Sequence, residues 1–260
     1  MITCLAVAPS LAAGPLRLPG KAITEATALE LNFFRKDESM SLDYTKKKTN
    51  TVRQMREKAR YDRDTVHGIL DLGLVAHVAF VQDGQPVVVP MIHARDGETL
   101  YLHGARKARV VRLLEQCAQI CVNVTLVDGI VLARSAFNSS MNYRSVTVFG
   151  RPSLVEGHDE KLHAMKCISE HLMPGRWDEL RPPHDKEVKM TGVIAMSIDE
   201  ASAKISKGLP VDEEEDYDIP VWAGTLPVTQ TLGKLISDER LIPGADVPSA
   251  VVRSLQDRTL

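Results

Sequence analysis

The chain has no long apolar run, no cysteine framework and no excess of charge of either sign, and each absence narrows its possible functions. No run approaches the roughly 18 apolar residues of a membrane-spanning helix. The four cysteines are scattered over 260 residues, unlike the dense pattern of small secreted domains, which favours a reducing compartment, the cytoplasm. A formal net charge of -2 provides no general attraction to nucleic acid or to an anionic membrane, so neither is an expected partner.

Common catalytic signatures are absent as well. The sequence contains no Gly-x-Ser-x-Gly elbow, no Walker loop, no His-Glu-x-x-His and no Gly-x-Gly-x-x-Gly. Serine hydrolase, P-loop and Rossmann functions therefore lack their usual support.

The composition and length predict one globular domain with extensions. Hydrophobic residues make up 44% of the chain and charged residues 25%, as in ordinary globular proteins. We predict an extension over residues 1–48, disordered or loosely packed, one domain over 49–230, and a C-terminal tail over 231–260. The apolar start, residues 2–13, has no basic residue before it, which favours an unstructured leader over a signal peptide.

The first half of the predicted domain alternates between one helix and a series of strands. Val66, Ile69 and Leu70 have helical spacing behind Asp64 and end before a glycine. Segments rich in Val, Ile, Thr and Leu then predict strands over Leu74–Val81, Pro86–His93, Thr99–His103, Gln119–Val127 and Ile130–Arg134. The dipeptides that separate them predict tight hairpins at Asp83-Gly84, Asp96-Gly97 and Asp128-Gly129.

Two more helices and two more strands complete the prediction. The helices are Arg106–Cys117, with a stripe of Val110, Leu113, Leu114 and Cys117, and Asp159–Leu172, with a stripe of Leu162, Met165, Ile168 and Leu172. The strands are Tyr143–Val155 and Thr191–Ile198. Six or seven strands are enough to close into a small barrel, so the predicted fold is mainly β, an antiparallel barrel with flanking helices.

The segment after the third strand has the features of a phosphate site. A strand leads to a predicted turn at Gly104, and Arg106, Lys107 and Arg109 then cluster at the start of a helix. The free N–H groups of a helix N-terminus favour an anion, and arginine adds a planar fork of donors. The alternative is a solvated helix start.

A second polar cluster lies at the start of the strand after residue 140. Alternation along the strand places Tyr143 and Ser145 on one face and Arg144 on the other. The two hydroxyls are therefore predicted to converge on one ligand. Polar surface residues at a strand end are the alternative.

The sequence does not predict a metal site. His163, Cys167 and His171 are spaced by four on one helix, but the outer two are about 12 Å apart, too far to share an ion. Only an i, i+4 pair could bind a metal, and it would need ligands from elsewhere, so a polar helix face is favoured. Cys117 and Cys121 are expected to be buried free thiols.

At these residues the sequence resembles the pyridoxamine 5'-phosphate oxidase-like FMN-binding split-barrel proteins, in the branch near the nitroimidazole-resistance proteins. The resemblance runs from about Arg60 to Pro227. It is carried by Tyr61-Asp62-Arg63, Pro90, Leu100–Ala105, Arg109, Met141–Val146, Phe149-Gly150, Pro174–Trp177, Glu200–Lys204 and Pro220–Gly224.

The resemblance implies an FMN-dependent oxidoreductase that acts on a small molecule, as a homodimer with the cofactor at the subunit interface. It implies that the flavin ring lies along Val88, Val89, Pro90 and Met91. It further implies that the phosphate is held by His103, Gly104, Arg106, Lys107 and Arg109, and that Tyr143 and Ser145 complete the pocket. His103 and Tyr143 are the candidate proton donors. The alternative is a non-catalytic flavin or haem binding protein, with haem or another flavin as less favoured cofactors.

Two departures from the family pattern bear on the ligand. Pyridoxamine phosphate oxidases have a C-terminal Trp-x-x-x-Arg-Leu segment that grips the substrate phosphate, and nothing after Trp222 reproduces it. Pyridoxamine phosphate is therefore not the expected substrate. Some relatives bind haem through a histidine near the C-terminus, whereas the last histidine here is His184, which disfavours haem.

Overall fold

The computed structural model describes residues 43–257, and strands form the body of this part of the chain. The strands are β1 Ala59–Arg60, β2 Val75–Gln82, β3 Gln85–Asp96, β4 Thr99–Ala105, β5 Ile120–Leu132, β6 Ser140–Gly150, β7 Pro152–Leu154, β8 Thr191–Ser197, β9 Glu200–Ser206 and β10 Gly224–Pro227. The α-helices are α1 Arg63–Leu72, α2 Arg109–Gln116, α3 His158–Leu172, α4 Asp185–Met190 and α5 Ser249–Asp257. Between residues 43 and 257 no helix is long and apolar enough to cross a membrane.

The strands form one antiparallel sheet that curls into a barrel. Their order is β1-β9-β6-β5-β2-β3-β4-β8-β7, and β10 pairs with the free side of β5. Although β8 and β9 are consecutive in the chain, they lie near opposite ends of this order, so the short turn between them brings the two ends of the sheet together. The predicted antiparallel β-barrel with flanking helices is confirmed.

The interior of the barrel is filled by the alternate side chains of the strands. Val78, Val122, Val148 and Leu100 are fully buried there, and α1 and α2 add Leu70 and Leu114, among others. A second, smaller cluster lies on the outer face, where α3 covers β3, β4 and β8 with Ala164 and Ile168. The strand periodicity of two therefore separates an inner face from an outer face that is only partly covered.

The three predicted hairpins have different outcomes. Asp83 and Gly84 both have positive φ, 51° and 75°, as a two-residue turn between β2 and β3 requires. Asp96-Gly97 likewise joins β3 to β4. The predicted hairpin at Asp128-Gly129 is wrong, because β5 continues through these residues with a bulge and the long strand β6 pairs with both halves of it. The Asp128 carboxylate accepts a hydrogen bond from the Arg144 guanidinium.

Several boundaries differ from the predictions for identifiable reasons. The predicted strand Tyr143–Val155 is two strands, because β6 pairs with β9 whereas β7 leaves to pair with β8. Helix α2 begins at Arg109, three residues later than predicted, and buries Val111 and Leu114 rather than the full predicted stripe. Strands β1, β9 and β10 and helices α4 and α5 were not predicted, since they are short or weakly patterned.

Both ends of the described chain pack on the barrel domain. Tyr44 is buried in the core, and its hydroxyl donates to a Glu98 carboxylate oxygen at 2.7 Å. The packed domain therefore begins earlier than the predicted residue 49, while residues 1–42 of the predicted extension lie outside the described residues. At the other end, α5 buries Ala250, whose N–H donates to Glu179 at 3.0 Å, so the predicted tail contains a docked helix.

A pair of histidines joins α1, β3 and α3, and it predicts a pH dependence of stability. His93 is fully buried, and its ring lies tilted against that of His171 with the centroids 4.9 Å apart. Its Nε2–H donates to the Leu70 carbonyl at the end of α1. Burial, with a smaller effect of His171, lowers the pKa of His93 from 6.5 to about 4. Between these values the unfolded chain binds a proton that the folded protein does not, so stability falls as the pH is lowered through this window.

Because of His93, we expect the free energy of unfolding to fall by roughly 3 kcal/mol as the pH is lowered from 6.5 to 4. Urea denaturation across this range measures it. His93→Gln should flatten the pH dependence, whereas His158→Gln, a change at an exposed histidine, should leave it unaltered. An equal slope in the parent and in His93→Gln would contradict this assignment.

Candidate functional site

The outer face of β3 exposes an apolar segment with one unpaired edge. Val88 and Pro90 point outward and are exposed, whereas Met91 is buried and Val89 packs against the core. On one side, residues 85–92 pair with β2, but on the other side β4 pairs only with residues 93–96. The backbone N–H and C=O groups on that free edge have no partner strand in the described chain, so they can bond to a planar ligand.

His103 borders the same opening. It lies on β4 beyond the last residue that pairs with β3, and alternation places it on the outer face with Tyr101. The Nδ1 atom of His103 is buried and has no hydrogen-bond partner among the described residues. Burial also lowers the pKa of His103, so its ring is neutral at neutral pH. A ligand in the opening could satisfy this nitrogen.

The chain that leaves β4 places three cations at the start of α2. Arg109 is the first residue of the helix, and Arg106 and Lys107 lie in the turn before it. The N-cap residue, Ala108, has no side chain that could accept from the helix N–H groups. Arg109 Nη2 donates to Gln82 Oε1 at 2.6 Å, and Arg106 lies 3.4 Å from Glu115. This corner, residues 106–109, thus combines positive charge with free N–H donors.

Gly104 has a packing role that the sequence pattern did not indicate. It lies within β4 and not in a turn, which corrects the predicted glycine turn; the turn follows at Arg106. A Cβ at Gly104 would lie 3.2 Å from Val111, and one at Gly192, its partner on β8, would lie 2.7 Å from the same side chain. The two glycines therefore let α2 pack closely on the strands, which positions the cationic corner.

A groove of about 750 Å³ lies toward the other end of α2, and Gln82, the hydrogen-bond partner of Arg109, is part of its lining. It is bounded by the hairpin between β2 and β3, the end of α2 and the start of β5. Its lining is mostly apolar and includes Gln82, Val88, Cys117 and Cys121. Burial raises the pKa of both thiols, so they stay protonated at neutral pH. Both are free, as predicted, but they are half-buried and not fully buried. The volume is in the range of small-molecule sites.

The predicted hydroxyl pair lies elsewhere on the outer face. Tyr143 and Ser145 are on β6, which β5 and β2 separate from β3 by about 14 Å. Ser145 Oγ is hydrogen bonded to Asn123 Nδ2 at 3.2 Å and to Thr125 Oγ1 at 3.0 Å. Within one chain, therefore, the Arg109–Gln82 bond brings the cationic corner to the end of β2, beside the β2–β3 hairpin, whereas the two hydroxyls of β6 lie three strands away from β3.

One residue between these two groups was missed in the sequence. His77 on β2 is exposed and lies in register with Pro90 on one side and Asn123 on the other. Its imidazole makes no hydrogen bond to the described residues. Alternation in the β2 segment places this single imidazole on the outer face, which was a usable signal. Its neighbours could not be foreseen, since they depend on the strand order.

The family of the chain follows from its sequence match. The model of the family described as pyridoxamine 5'-phosphate oxidase matches residues 62–205, more than half of the chain. The chain belongs to this family. No curated protein matches the chain. The predicted resemblance to the pyridoxamine 5'-phosphate oxidase family is thereby confirmed.

Among solved structures, this member of the pyridoxamine 5'-phosphate oxidase family is similar to two proteins over most of their length. The flavocytochrome Anf3 from Azotobacter vinelandii is 38% identical, with a TM-score of 0.75 over 80% of this chain and 96% of that chain. The FAD and haem binding protein from Mycobacterium smegmatis is 35% identical, with a TM-score of 0.73 over 75% and 96%. A 5-nitroimidazole antibiotic resistance protein from Bacteroides thetaiotaomicron is 24% identical, with a TM-score of 0.49 over 56% and 86%.

Proposed function

We propose that the chain is a flavin-dependent oxidoreductase that binds the flavin ring along Val88–Met91 and the flavin phosphate at the cationic corner. One observation carries the proposal: an exposed apolar segment of β3 with a free edge belongs to a hairpin whose other strand, through Gln82, is hydrogen bonded to an uncapped helix N-terminus with three cations. A flavin bound there would supply electron transfer to a small aromatic, nitro or quinone-like acceptor. The names of the two most similar solved structures described above support a flavin.

The residues of this site fit the parts of a flavin. Arg106, Lys107 and Arg109 match a dianionic phosphate, and the free N–H groups of α2 add donors. Val88 and Pro90 offer an apolar platform for the ring, while the free edge of β3 can bond to its polar rim. His103 is neutral, so it acts as a base or a hydrogen-bond partner before it can deliver a proton.

The flavin is either FMN, as the sequence predicts, or FAD, and we favour FAD. Both cofactors carry the phosphate that the cationic corner would bind. The groove beside Gln82 and Val88 provides space for an adenosine extension, and one similar protein is described as binding FAD. Denaturing the purified protein and identifying the released flavin by chromatography distinguishes the two.

Haem is a second candidate cofactor, and His77 is its favoured ligand. An imidazole whose nitrogens have no hydrogen-bond partner is a suitable axial ligand of haem iron. His77 is exposed on the outer face of β2, with Val75 two residues before it on the same face and Asn123 in register on β5, the side of β2 that faces away from β3. The apolar side chain of Val75 suits contact with a porphyrin face. This position on β2 provides the histidine that the C-terminal region lacks. The names of the two similar structures, a flavocytochrome and a haem binding protein, favour it.

We also propose a homodimer. Tyr143 and Ser145 are too far from the β3 segment to complete its pocket in the same chain, so a partner subunit would have to supply them. The exposed apolar side chains Val81, Val88 and Met141 lie on the outer face that such a partner would cover. Light scattering should give a particle of twice the 28.7 kDa chain mass. A fully flavin-loaded monomer would contradict the dimer.

The visible spectrum of the purified protein tests the cofactor proposals together. We expect flavin absorption, and a Soret band if haem is present. His77→Ala should abolish the Soret band and leave the flavin bound, whereas His158→Ala should change neither. NADH or NADPH with a nitroaromatic acceptor should then bleach and restore the flavin absorption. Failure of every reductant to bleach it would favour a non-catalytic flavin binder, and a colourless protein reconstituted by no flavin would refute the proposal.

A further inference from the structure

Three metal-binding side chains converge where the turn between β3 and β4 meets α3. Asp96 is the last residue of β3, and His163 and Cys167 lie one turn apart on α3, which packs against β3. One ligand atom of each residue lies within 4.8 Å of the other two. Asp96 and His163 are about half exposed, and Cys167 is partly buried and in no disulfide.

The distance between His163 Nε2 and Cys167 Sγ matches one edge of a tetrahedral zinc site. His163 Nε2 lies 3.5 Å from Cys167 Sγ. The edge of a tetrahedron with zinc–nitrogen and zinc–sulfur bonds of about 2.0 and 2.3 Å is about 3.5 Å long. His163 Nε2 lies 2.7 Å from Asp96 Oδ2, and this edge must lengthen to about 3.4 Å. Since both side chains are exposed, a small rotamer change achieves it.

The same geometry argues against a nucleophilic triad. In a triad the two nitrogens of the histidine have different partners, one the nucleophile and the other the carboxylate. Here the thiol and the carboxylate both approach Nε2 of His163. Convergence on one nitrogen fits a shared ion better than a proton relay.

We propose that Asp96, His163 and Cys167 bind a zinc ion. One thiolate, one imidazole and one carboxylate form a borderline-soft donor set of the kind that zinc accepts. The exposure of Asp96 and His163 leaves room for water as the fourth ligand. When the ion binds, the sulfur–hydrogen bond of Cys167 breaks, the zinc–sulfur bond forms and the proton passes to solvent.

The site is separate from the proposed flavin. Asp96 and Val88 are eight residues apart on β3, or about 26 Å along the strand. The ion would therefore not touch the ring, and its effect is structural: it ties the β3–β4 turn to α3. The ring of Tyr101 packs edge-on against His163 at 6.1 Å and holds the imidazole in place.

Calorimetric titration of the flavin-loaded protein with Zn²⁺ tests the proposal. We expect one equivalent to bind per chain and the melting temperature to rise. Cys167→Ala and Asp96→Asn should each weaken zinc binding roughly a hundredfold, because each removes one of the four ligands and with it about a quarter of the binding free energy. Cys121→Ala and His158→Ala are matched controls, with a cysteine and a histidine outside the cluster, and should bind as the parent does.

Substitution of Co²⁺ identifies the ligands independently of stability. A thiolate–cobalt charge-transfer band should appear in the difference spectrum of the parent and of Cys121→Ala, but not of Cys167→Ala. The circular dichroism of each variant shows whether it is folded. Zinc affinity that is equal in the parent and in folded Cys167→Ala would overturn the proposal, as would a parent that binds neither metal. Neither result would bear on the flavin site.

Discussion

Arg109→Ala is expected to weaken flavin binding about ten- to a hundredfold. The guanidinium is exposed at the first residue of α2 and is held toward the end of β2 by its bond to Gln82. A hydrogen bond between an arginine and a phosphate contributes about 1.5–3 kcal/mol, and each 1.4 kcal/mol is a tenfold change in affinity. Titration of the flavin-free protein with flavin, followed by fluorescence quenching, measures the change.

Arg112→Ala is the matched control for this prediction. Arg112 lies on the same helix, is also exposed and makes no ion pair with a described residue. Its N–H donates to the Ala108 carbonyl and belongs to the helix, so this residue lies past the free N–H groups. The loss of its side chain should lower flavin affinity by no more than about threefold, because only one screened positive charge is removed. Equal effects at the two positions would show that net charge, and not a phosphate contact at Arg109, governs binding.

Gly150→Ala is expected to destabilise the fold by about 3 kcal/mol or more. Gly150 ends β6 where it crosses the end of β8, and a Cβ at this position would overlap the carbonyl oxygen of Ser197. It would also lie 2.8 Å from Met196 Cγ, in the core. Because the obstacle is backbone, the two strands would have to separate. Urea denaturation should show a lower midpoint.

Gly68→Ala serves as the opposite control. Gly68 lies in the middle of α1, and a Cβ there has no heavy atom within 4 Å. Alanine should stabilise the helix by about 0.5–1 kcal/mol, because glycine loses more backbone entropy on folding. If Gly150→Ala were as stable as the parent, the close crossing of β6 and β8 would be wrong.

Local patterns in the sequence were sufficient for the fold class. Alternating apolar residues and the Asp-Gly dipeptides at positions 83 and 96 depend on neighbours in the chain, and the structure confirms the strands that they predict. The Asp128-Gly129 dipeptide has the same local preference but lies opposite a strand long enough to continue the pairing. Tertiary pairing overrides turn propensity there, and no local pattern could have shown it.

The candidate site was only partly predictable for the same reason. The cationic corner is a local feature, so the segment from His103 to Arg109 could be found in the sequence. Whether Tyr143 lies near it depends on two intervening strands, which local patterns do not specify. The cluster of His163 and Cys167 needed a third ligand, and Asp96 is 67 residues from His163 in the chain. Such a pairing is visible only in the fold.

The structure of the purified protein with its flavin is the most direct test of this account. We expect the flavin phosphate to lie within hydrogen-bonding distance of the Arg109 guanidinium and the first N–H groups of α2, with the ring against Val88 and Pro90. A flavin whose phosphate is bound elsewhere, with the start of α2 occupied only by solvent, would contradict it.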